Sequence, residues 1–308
     1  QLMKFGLLLL MLAGLLTGSR TEPPATLLFV GDMMLSRNIG RIMVEQNDWR
    51  YPFREIKEVL AQADLLIGNL EGPISTKGTK VGSIYSFRAD PRSILGLTDA
   101  GFDVLSFANN HVWDYGRDAF CETLDILQAA KIDYVGGGID YVAVHQPIIR
   151  EVKGAKVAFL AYTDLVPRGI TRAESRPAVA FLDLEQVIPD ITRAEELADL
   201  TVVLLHWGNE YETKHNARQE ILAHAMIEAG ADLVVGHHPH VAQEVETYRD
   251  GYIAYSLGNF VFDQNFSADT RSGLMLKVSL KNKKIERVES QKIKFTPTFQ
   301  PILSSNEN

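Results

Sequence analysis

The chain has 308 residues, of which 46% are hydrophobic and 9% aromatic, enough for a sizeable core in one large domain or two modest ones. Its formal net charge is -8, with acidic and basic residues interspersed, which argues against a surface for nucleic acid or anionic membranes. A single cysteine, Cys121, excludes an intramolecular disulfide.

The first twenty residues have the pattern of a secretory signal. Lys4 precedes the apolar run FGLLLLMLAGLL, and small and polar residues follow it. The run has about twelve residues, which is short for a membrane span. We therefore predict a signal peptide or N-terminal anchor over residues 1–20 and one domain over residues 21–308. An uncleaved anchor is the main alternative to cleavage, and export to the cell envelope, periplasm or exterior is expected in either case.

Beyond this segment, short apolar runs alternate with longer amphipathic stretches, which is typical of an α/β protein. Strands are predicted over residues 26–32, 64–72, 103–111, 144–154, 155–164, 200–208, 231–240 and 252–260. Helices are predicted over residues 49–63, 92–101, 120–130, 185–198 and 217–230. Residues 273–295 alternate like a meander at one sheet edge, and the tail from Thr298 is expected to be loose. The run Gly136 to Gly138 lacks the spacing of a dinucleotide site and is interpreted as a flexible loop.

Polar side chains directly follow five of the predicted strands. They are Asp32; Asn69 and Glu71; Asn109, Asn110 and His111; His206; and His237, His238 and His240. The carboxyl ends of strands carry the chemistry in α/β sheets, and carboxylate, amide and imidazole donors together suit a divalent cation. Taken singly, Asp32 is more often a helix cap and His206 a half-buried histidine. Three histidines in four positions are harder to explain without a metal, because each carries a desolvation cost. The pattern predicts one or two ions of Mn, Fe or Zn.

Six ordered blocks, GDMML, GNLEGPI, ANNHVWDYG, LLHWGNEY, GHHPHV and YSLGNFVF, carry a family resemblance. They resemble the CapA-type capsule-synthesis family, which is associated with poly-γ-glutamate biosynthesis and related to calcineurin-like metallophosphoesterases. The resemblance extends from Leu27 to Asp263. It implies a four-layer α/β/β/α sandwich of the metallophosphoesterase type, with a dinuclear-type metal site at one edge of two central sheets.

The same resemblance assigns roles to individual residues. It implies the metal ligands Asp32, Glu71, Asn110, His206, His238 and His240, with Glu71 as the bridging carboxylate. His111 matches the position that protonates the leaving group or steadies a phosphoryl oxygen, and Asp114 would orient it. Met34 stands where the phosphoesterase pattern has a histidine, so one metal position is expected to be weak or empty. His237 is left without an assigned role.

A few residues are weaker candidates. Arg88 could contact an anionic substrate, although a surface arginine is the ordinary interpretation, and Asn259 could contact substrate, brace the site or cap a turn. Glu210 and Tyr211 could line the mouth of the site. Trp113 and Trp207 are interpreted as core residues rather than stacking surfaces.

These observations favour an exported, CapA-like, metal-dependent enzyme that hydrolyses or processes an anionic polymer or a phosphoester at the cell envelope. The alternative from another class is a non-catalytic protein that binds poly-γ-glutamate within a capsule assembly or export machine, with membrane proteins of that machine as partners. Because a net charge of -8 would repel polyglutamate, bound metal would have to bridge the two.

Overall fold

A computed structural model describes residues 24–170 and 176–304. The predicted signal peptide or anchor, residues 1–20, lies outside the described residues. Among the described residues, no helix combines the length and the apolar character needed to cross a bilayer.

The secondary structure alternates between strands and helices along the described chain. The strands are β1 (Ala25–Met33), β2 (Leu65–Leu70), β3 (Val104–Ser106), β4 (Asp133–Val135), β5 (Gly137–Gly138), β6 (Ile148–Val152), β7 (Ala155–Thr163), β8 (Ala178–Val179), β9 (Leu200–His206), β10 (Leu233–His237), β11 (Val245–Tyr248), β12 (Gly251–Ala254), β13 (Asn259–Val261), β14 (Ser272–Lys281), β15 (Lys284–Phe295) and β16 (Pro301–Leu303). The α-helices are α1 (Arg37–Gln46), α2 (Lys57–Leu60), α3 (Ile94–Ala100), α4 (Gly116–Ala129), α5 (Tyr141–Val144), α6 (Leu184–Leu197) and α7 (Ala217–Glu228). Short 3-10 helices cover Tyr51–Phe53, Pro91–Ser93 and Asp269–Arg271.

Two large sheets dominate the described residues. The first has the order β16-β15-β14-β1-β2-β3-β4, and β13 also pairs with β1. Strands β1 to β4 are parallel, and the antiparallel meander β14 to β16 extends the sheet beyond β1. The second has the order β11-β12-β10-β9-β7-β6, with β7, β9, β10 and β12 parallel. The predicted meander is confirmed.

The side chains of the second sheet alternate between two apolar cores. Phe159, Val202 and Val235 face the core that also contains the first sheet together with side chains of α1, α3 and α4. Their neighbours Leu160 and Val203 belong to the other core, which they form with α6 and α7. Because strand side chains point alternately to opposite faces, each central strand is buried on both sides. The predicted four-layer α/β/β/α sandwich is confirmed.

Several local predictions were wrong. Residues 49–63 do not form one helix: a 3-10 turn over Tyr51–Phe53 precedes the short α2, since Pro52 offers no backbone N–H to a continuous helix. The glycine run is not a flexible loop, because Gly137 and Gly138 are buried and pair with β8. The tail beyond Thr298 is not entirely loose, because β16 pairs with β15. Helix α1 had no counterpart in the sequence prediction.

The predicted strand over residues 252–260 is two strands in different sheets. Strand β12 pairs with β10 in the second sheet, whereas β13 pairs with β1 in the first. The chain crosses between the sheets at Gly258, whose φ of 68° lies in the left-handed region. A Cβ on Gly31 would collide with the carbonyl of Gly258, so glycine at position 31 lets the two segments approach closely.

The parallel strands bring the polar residues that follow them to one edge of the sandwich. Asp32 on β1 is in register with Asn69 on β2 and with Asn259 on β13. In the second sheet, His206 at the end of β9 is in register with His237 at the end of β10. The carboxyl ends of both sheets therefore contribute side chains to the same region of the sandwich.

Candidate metal centre

The first part of the site surrounds Asp32, which is fully buried. The amide Nδ2 of Asn69 donates to Asp32 Oδ1 at 2.8 Å and lies 3.3 Å from His206 Nδ1. The Nε2 atom of His206 lies 2.8 Å from Asn110 Oδ1. Strand ends from both sheets thus place a carboxylate, an imidazole and an amide oxygen side by side.

Glu71 and His240 join this group from opposite sheets. His240 Nε2 lies 3.6 Å from Glu71 Oε1, and His240 Nδ1 lies 3.4 Å from Asp32 Oδ2. The His206 and His238 ring centroids are 4.8 Å apart. All six residues that the resemblance assigned as metal ligands are therefore brought together at one place.

Two sets of side chains have donor atoms close enough to share an ion. One set is Asp32, Glu71 and His206, and the other is Glu210, His238 and His240; within each set the donor atoms lie within 4.8 Å of one another. Glu71 belongs to the first set and also forms an ion pair with His240 of the second set. This arrangement is compatible with a bridging role for Glu71.

The unsatisfied atoms of the site fit a cation. Both carboxylate oxygens of Glu71, which is 1% exposed, and Nδ1 of His238 are buried without a hydrogen-bond partner in the described part of the chain. A buried carboxylate without a donor carries a large desolvation cost. A divalent ion would remove that cost, and the mixed oxygen and nitrogen donors suit a borderline metal.

The pKa values in the metal-free site follow from burial and from the close charges. Burial raises the pKa of Glu71 well above its usual value, and the neighbouring Asp32 carboxylate adds to the increase. Burial also lowers the pKa of His206 well below its usual value and that of His238 to about 3. Both imidazoles are therefore neutral at physiological pH, which is the state that binds metal.

The pKa values of Asp32 and His240 shift in the direction opposite to that expected from burial. Burial alone would raise the pKa of Asp32, but its hydrogen bond to His240 and the surrounding imidazoles lower it well below its usual value. Burial alone would lower the pKa of His240, but Glu71 and Asp32 raise it to about 9. Without a metal, a proton on His240 partly balances the acidic side chains.

The turn containing His238 and His240 has an unusual backbone. The φ angles of His238 and His240 are 97° and 58°, values that side chains other than glycine rarely adopt. The backbone amide of His238 donates to Asp32 Oδ2 at 3.1 Å, which ties this turn to β1. The left-handed conformation on both sides of Pro239 directs the two imidazoles toward the carboxylates. Such local strain is characteristic of functional sites.

His111 borders the centre and is oriented by Asp114. His111 Nδ1 lies 2.8 Å from Asp114 Oδ2, and His111 Nε2 lies 3.8 Å from Glu71 Oε1. The same oxygen of Asp114 accepts the backbone N–H of Phe87, whose ring lies against the imidazole with centroids 4.1 Å apart. Because an ionised Asp114 accepts the Nδ1 proton, Nε2 is the atom directed to the centre.

Three asparagines orient the predicted ligands. Asn109 donates to Asn69 Oδ1 at 3.1 Å, and Asn69 in turn donates to Asp32. Asn259 Oδ1 lies 3.0 Å from His240 Nδ1. Sequence reasoning had placed Asn69 and Asn109 at strand ends without giving them a role. The sequence indicated them by position alone. Asn109 directly precedes the predicted ligand Asn110, and Asn69 lies two residues before Glu71.

A cleft of about 420 Å³ opens beside the centre. Its lining includes Asn110, His111, Glu210, His240, the cation Arg37 and the aromatic residues Tyr85, Phe87, Tyr211 and Phe266. Glu210 and Tyr211 thus lie where the sequence suggested, at the mouth. Three of the aromatic side chains are well exposed: Tyr85 at 61%, Tyr211 at 42% and Phe266 at 63%.

The two weak substrate candidates do not line this cleft. Arg88 donates to the carbonyls of Lys77 and Gly78 and lies over the ring of Tyr115, so its guanidinium is engaged within its own loop. Asn259 is fully buried behind His240. Neither side chain reaches the cleft in this structure, whereas Arg37 lines it.

The remaining motif residues serve the core. Trp113 and Trp207 are buried, and Trp207 Nε1 donates to the carbonyl of Tyr255 at 2.9 Å. His237 Nε2 lies 3.2 Å from the carbonyl oxygen of Val30, so His237 connects β10 to β1 across the two sheets. The imidazole of His237 is also close enough to Asp32 to contribute to the lowered pKa of that carboxyl.

Comparison with known proteins identifies the family. The model of the family described as bacterial capsule synthesis protein PGA_cap matches residues 26–264, which include every ligand candidate named above. The chain belongs to this family. The PGA_cap match ends one residue after Asp263, at the cleft, and therefore covers both sheets except for the meander β14 to β16.

Two curated relatives agree with the PGA_cap assignment. The chain is 36% identical over 264 residues to the capsule biosynthesis protein CapA of Bacillus anthracis, covering 83% of this chain and 64% of that protein. It is also 36% identical over 264 residues to the PGA biosynthesis protein CapA of Bacillus subtilis, covering 85% and 69%. The chain thus spans about two thirds of the length of these relatives.

A solved structure shares the fold of this PGA_cap protein. A hypothetical protein from Thermus thermophilus superposes with a TM-score of 0.56 at 15% identity, covering 87% of this chain and 99% of that chain. This similarity concerns the fold alone.

Proposed function

We propose that this protein is an exported, metal-dependent hydrolase that processes an anionic polymer of the poly-γ-glutamate type, or a phosphoester, at the cell envelope. The observation that carries the proposal is the pair of unpartnered, buried Glu71 oxygens among imidazoles, with His111 at the wall of an adjoining cleft. The names of the curated relatives support the capsule and PGA context.

The side chains around Glu71 would have different roles in hydrolysis. A divalent ion held there would supply Lewis acidity and lower the pKa of a water molecule. With both ring nitrogens protonated, His111 would donate the Nε2 proton to the leaving group while its Nδ1–H stays on Asp114, which leaves a neutral imidazole. Asn69, Asn109 and Asn259 would keep the ligand set rigid, so that no reorganisation is needed during the reaction.

The cleft supports an anionic substrate. The guanidinium of Arg37 is 39% exposed at the cleft, and its closest partner, Asp263 Oδ1, is 3.4 Å away. That separation leaves hydrogen-bonding capacity for a carboxylate or phosphate of the substrate. The exposed aromatic side chains offer apolar contact to the methylene groups of a polyglutamate chain. Arg37 and the bound cations would offset the repulsion expected from a net charge of -8.

Export is part of the proposal because of residues 1–20, whose pattern is that of a secretory signal or anchor. A polymer outside the cytoplasm is the substrate that such a location would require. Fractionation of cells expressing the full chain, with detection in the envelope or the medium, tests this component. Recovery in the cytoplasm alone would contradict it.

The central experiment measures metal content and turnover together. Purified protein is analysed for bound metal, then incubated in added Mn with an aryl phosphodiester and with poly-γ-glutamate. We expect bound metal and turnover of at least one substrate, and the loss of both in His206→Ala. His224→Ala is the matched control, because His224 pairs with Glu246 outside the cleft. Metal-free protein that is inert to both substrates but retains poly-γ-glutamate would overturn the enzyme proposal and support the non-catalytic alternative.

A further inference from the structure

The first sequence block contributes fewer metal donors than the phosphoesterase pattern. Beyond Asp32, the side chain at position 34 is the thioether of Met34, which is fully buried. Its sulfur accepts hydrogen bonds from the backbone N–H and the hydroxyl of Ser36, at 3.2 and 3.0 Å. A thioether is a poor donor to a hard or borderline cation, and this one is already engaged. One metal position therefore needs a donor from elsewhere in the chain.

Glu210 offers a carboxylate beside two of the predicted histidine ligands. It lies four residues after His206, and a carboxylate oxygen of Glu210 lies within 4.8 Å of ring nitrogens of both His238 and His240. Two donors on one ion lie no more than about 4.2 Å apart when each bond is about 2.1 Å long. The three donor atoms exceed this separation by at most about 0.6 Å, the difference between 4.8 and about 4.2 Å.

The backbone around Glu210 is attached to the turn that carries the two histidines. The N–H of Tyr211 donates to the carbonyl of Pro239 at 2.8 Å, between His238 and His240. Tyr211 itself has a φ of 67°, so its backbone, like that of His238 and His240, is left-handed. The position of Glu210 beside the imidazoles is thus determined by a hydrogen bond and not by the freedom of a surface loop.

An independent observation points to a ligand at this place. Nδ1 of His238 is buried and has no hydrogen-bond partner in the described residues, and His238 is 5% exposed. The backbone amide of the same residue is fixed by its hydrogen bond to Asp32. A buried imidazole nitrogen without a donor or acceptor is costly unless an ion or a water molecule occupies the space beside it.

We propose that Glu210 is a metal ligand, which together with His238 and His240 holds one divalent ion while Asp32, Glu71 and His206 hold another. This inference rests on the proposed metal-dependent function. Two imidazoles and one carboxylate form a donor set that suits Zn, Fe or Mn better than Mg. Glu210 would complete the donor set beside the two imidazoles, so that two ions are held although Met34 supplies no ligand.

The test counts ions and measures their affinities. The full chain is stripped with a chelator and titrated with Zn and with Mn, and bound metal is determined by elemental analysis after gel filtration. Wild-type protein is expected to bind two ions. Glu210→Gln is expected to retain one at unchanged affinity and to bind the second at least about tenfold more weakly. Glu212→Gln is the matched control, since Glu212 is an exposed carboxylate two residues further along, and it should bind as wild type does.

The outcomes separate this inference from the proposed function. If wild-type protein binds metal and Glu210→Gln binds the same number of ions with the same affinities, the role of Glu210 is refuted while the metal-dependent function stands. If wild-type protein binds no metal after reloading, both fail. Absorption of the Co-substituted protein provides a second readout, because loss of one carboxylate ligand changes the ligand-field bands of one ion. Circular dichroism checks that each variant is folded.

Discussion

The Nδ1 atom of His111 lies 2.8 Å from Oδ2 of Asp114, and the opposite ring nitrogen of His111 lies 3.8 Å from Glu71. The Asp114 carboxylate is a hydrogen-bond acceptor and lies next to Nδ1. It therefore keeps a proton on Nδ1 and also determines the direction of the imidazole ring. The same carboxylate oxygen also holds the backbone of Phe87, so the histidine and the cleft wall share one anchor.

Replacing Asp114 by Asn should lower turnover without removing metal. We expect a decrease of at least about tenfold, which is part of the factor of about 10² to 10⁴ that a positioned general acid contributes. The decrease should be larger for a substrate with a poor alkyl leaving group than for an aryl ester, and the pH dependence of kcat should change. Asp118→Asn, at a side chain that is 69% exposed, is the control. An equal decrease for both leaving groups would contradict the role of His111 as a proton donor.

Replacing Glu71 by Gln should have opposite effects on metal binding and on the stability of the metal-free protein. The variant is expected to lose the metal-induced increase in Tm, because a ligand is removed. In the presence of chelator, however, it should be at least as stable as wild type, because both buried Glu71 oxygens lack a hydrogen-bond donor and this cost outweighs the 3.6 Å contact with His240. Thermal unfolding with and without added Mn measures both effects. A chelated variant that is markedly less stable than chelated wild type would show that Glu71 has a structural partner.

Replacing Asn259 by Ala should weaken metal binding by about 10- to 100-fold, the usual effect of removing a group that orients a ligand. Asn259 Oδ1 accepts the Nδ1 proton of His240, whereas its amide nitrogen donates to Gln264 and to the carbonyl of Thr270. Asn259→Asp keeps the acceptor and loses both donors, so it separates the two roles. Competition with a chromogenic chelator measures the affinity. If Asp restores none of the affinity, the hydrogen bond to His240 is not the cause.

Replacing Glu122 by Gln should reduce stability in a pH-dependent manner. Burial by itself raises the pKa of Glu122, but hydrogen bonds from Ser75 and from the amides of Thr76 and Lys77 outweigh it and lower the pKa below 4.5. A lowered folded-state pKa contributes stability above the unfolded-state value, and this contribution is lost as the pH falls through the folded-state value.

At pH 7 we therefore expect Glu122→Gln to lower the free energy of unfolding by about 1 kcal/mol. The difference from wild type should shrink as the pH falls below the unfolded-state pKa near 4.5 and disappear only once the pH lies below the lowered folded-state pKa, where Glu122 is uncharged. Urea unfolding at several pH values is the measurement. Glu45→Gln, at an exposed pair with Arg41, is the control and should show little effect. A difference that persists at low pH would attribute the loss to packing and not to charge.

The amino-acid sequence by itself determined the α/β class and the identity of the candidate ligands, whereas the four-layer architecture was implied by the family resemblance. Buried strands such as β9 are continuous apolar runs that end in a polar residue, and this signal is local, so Asp32, Glu71, His206 and the histidine cluster could be named from it. The prediction of one helix over residues 49–63 was wrong. It followed the apolar periodicity and neglected Pro52, which has no backbone N–H to donate within a helix.

Only the tertiary structure decided which donors meet. The segment 252–260 reads as one strand, yet it changes sheets at Gly258 and carries Asn259 to His240, because the crossing depends on a close approach between Gly31 and Gly258 that no local pattern encodes. The same is true of Glu210, whose place beside His238 and His240 depends on the hydrogen bond between Tyr211 and Pro239. Periodicity reports burial along one element, whereas a metal centre depends on distances between elements that are far apart in the chain.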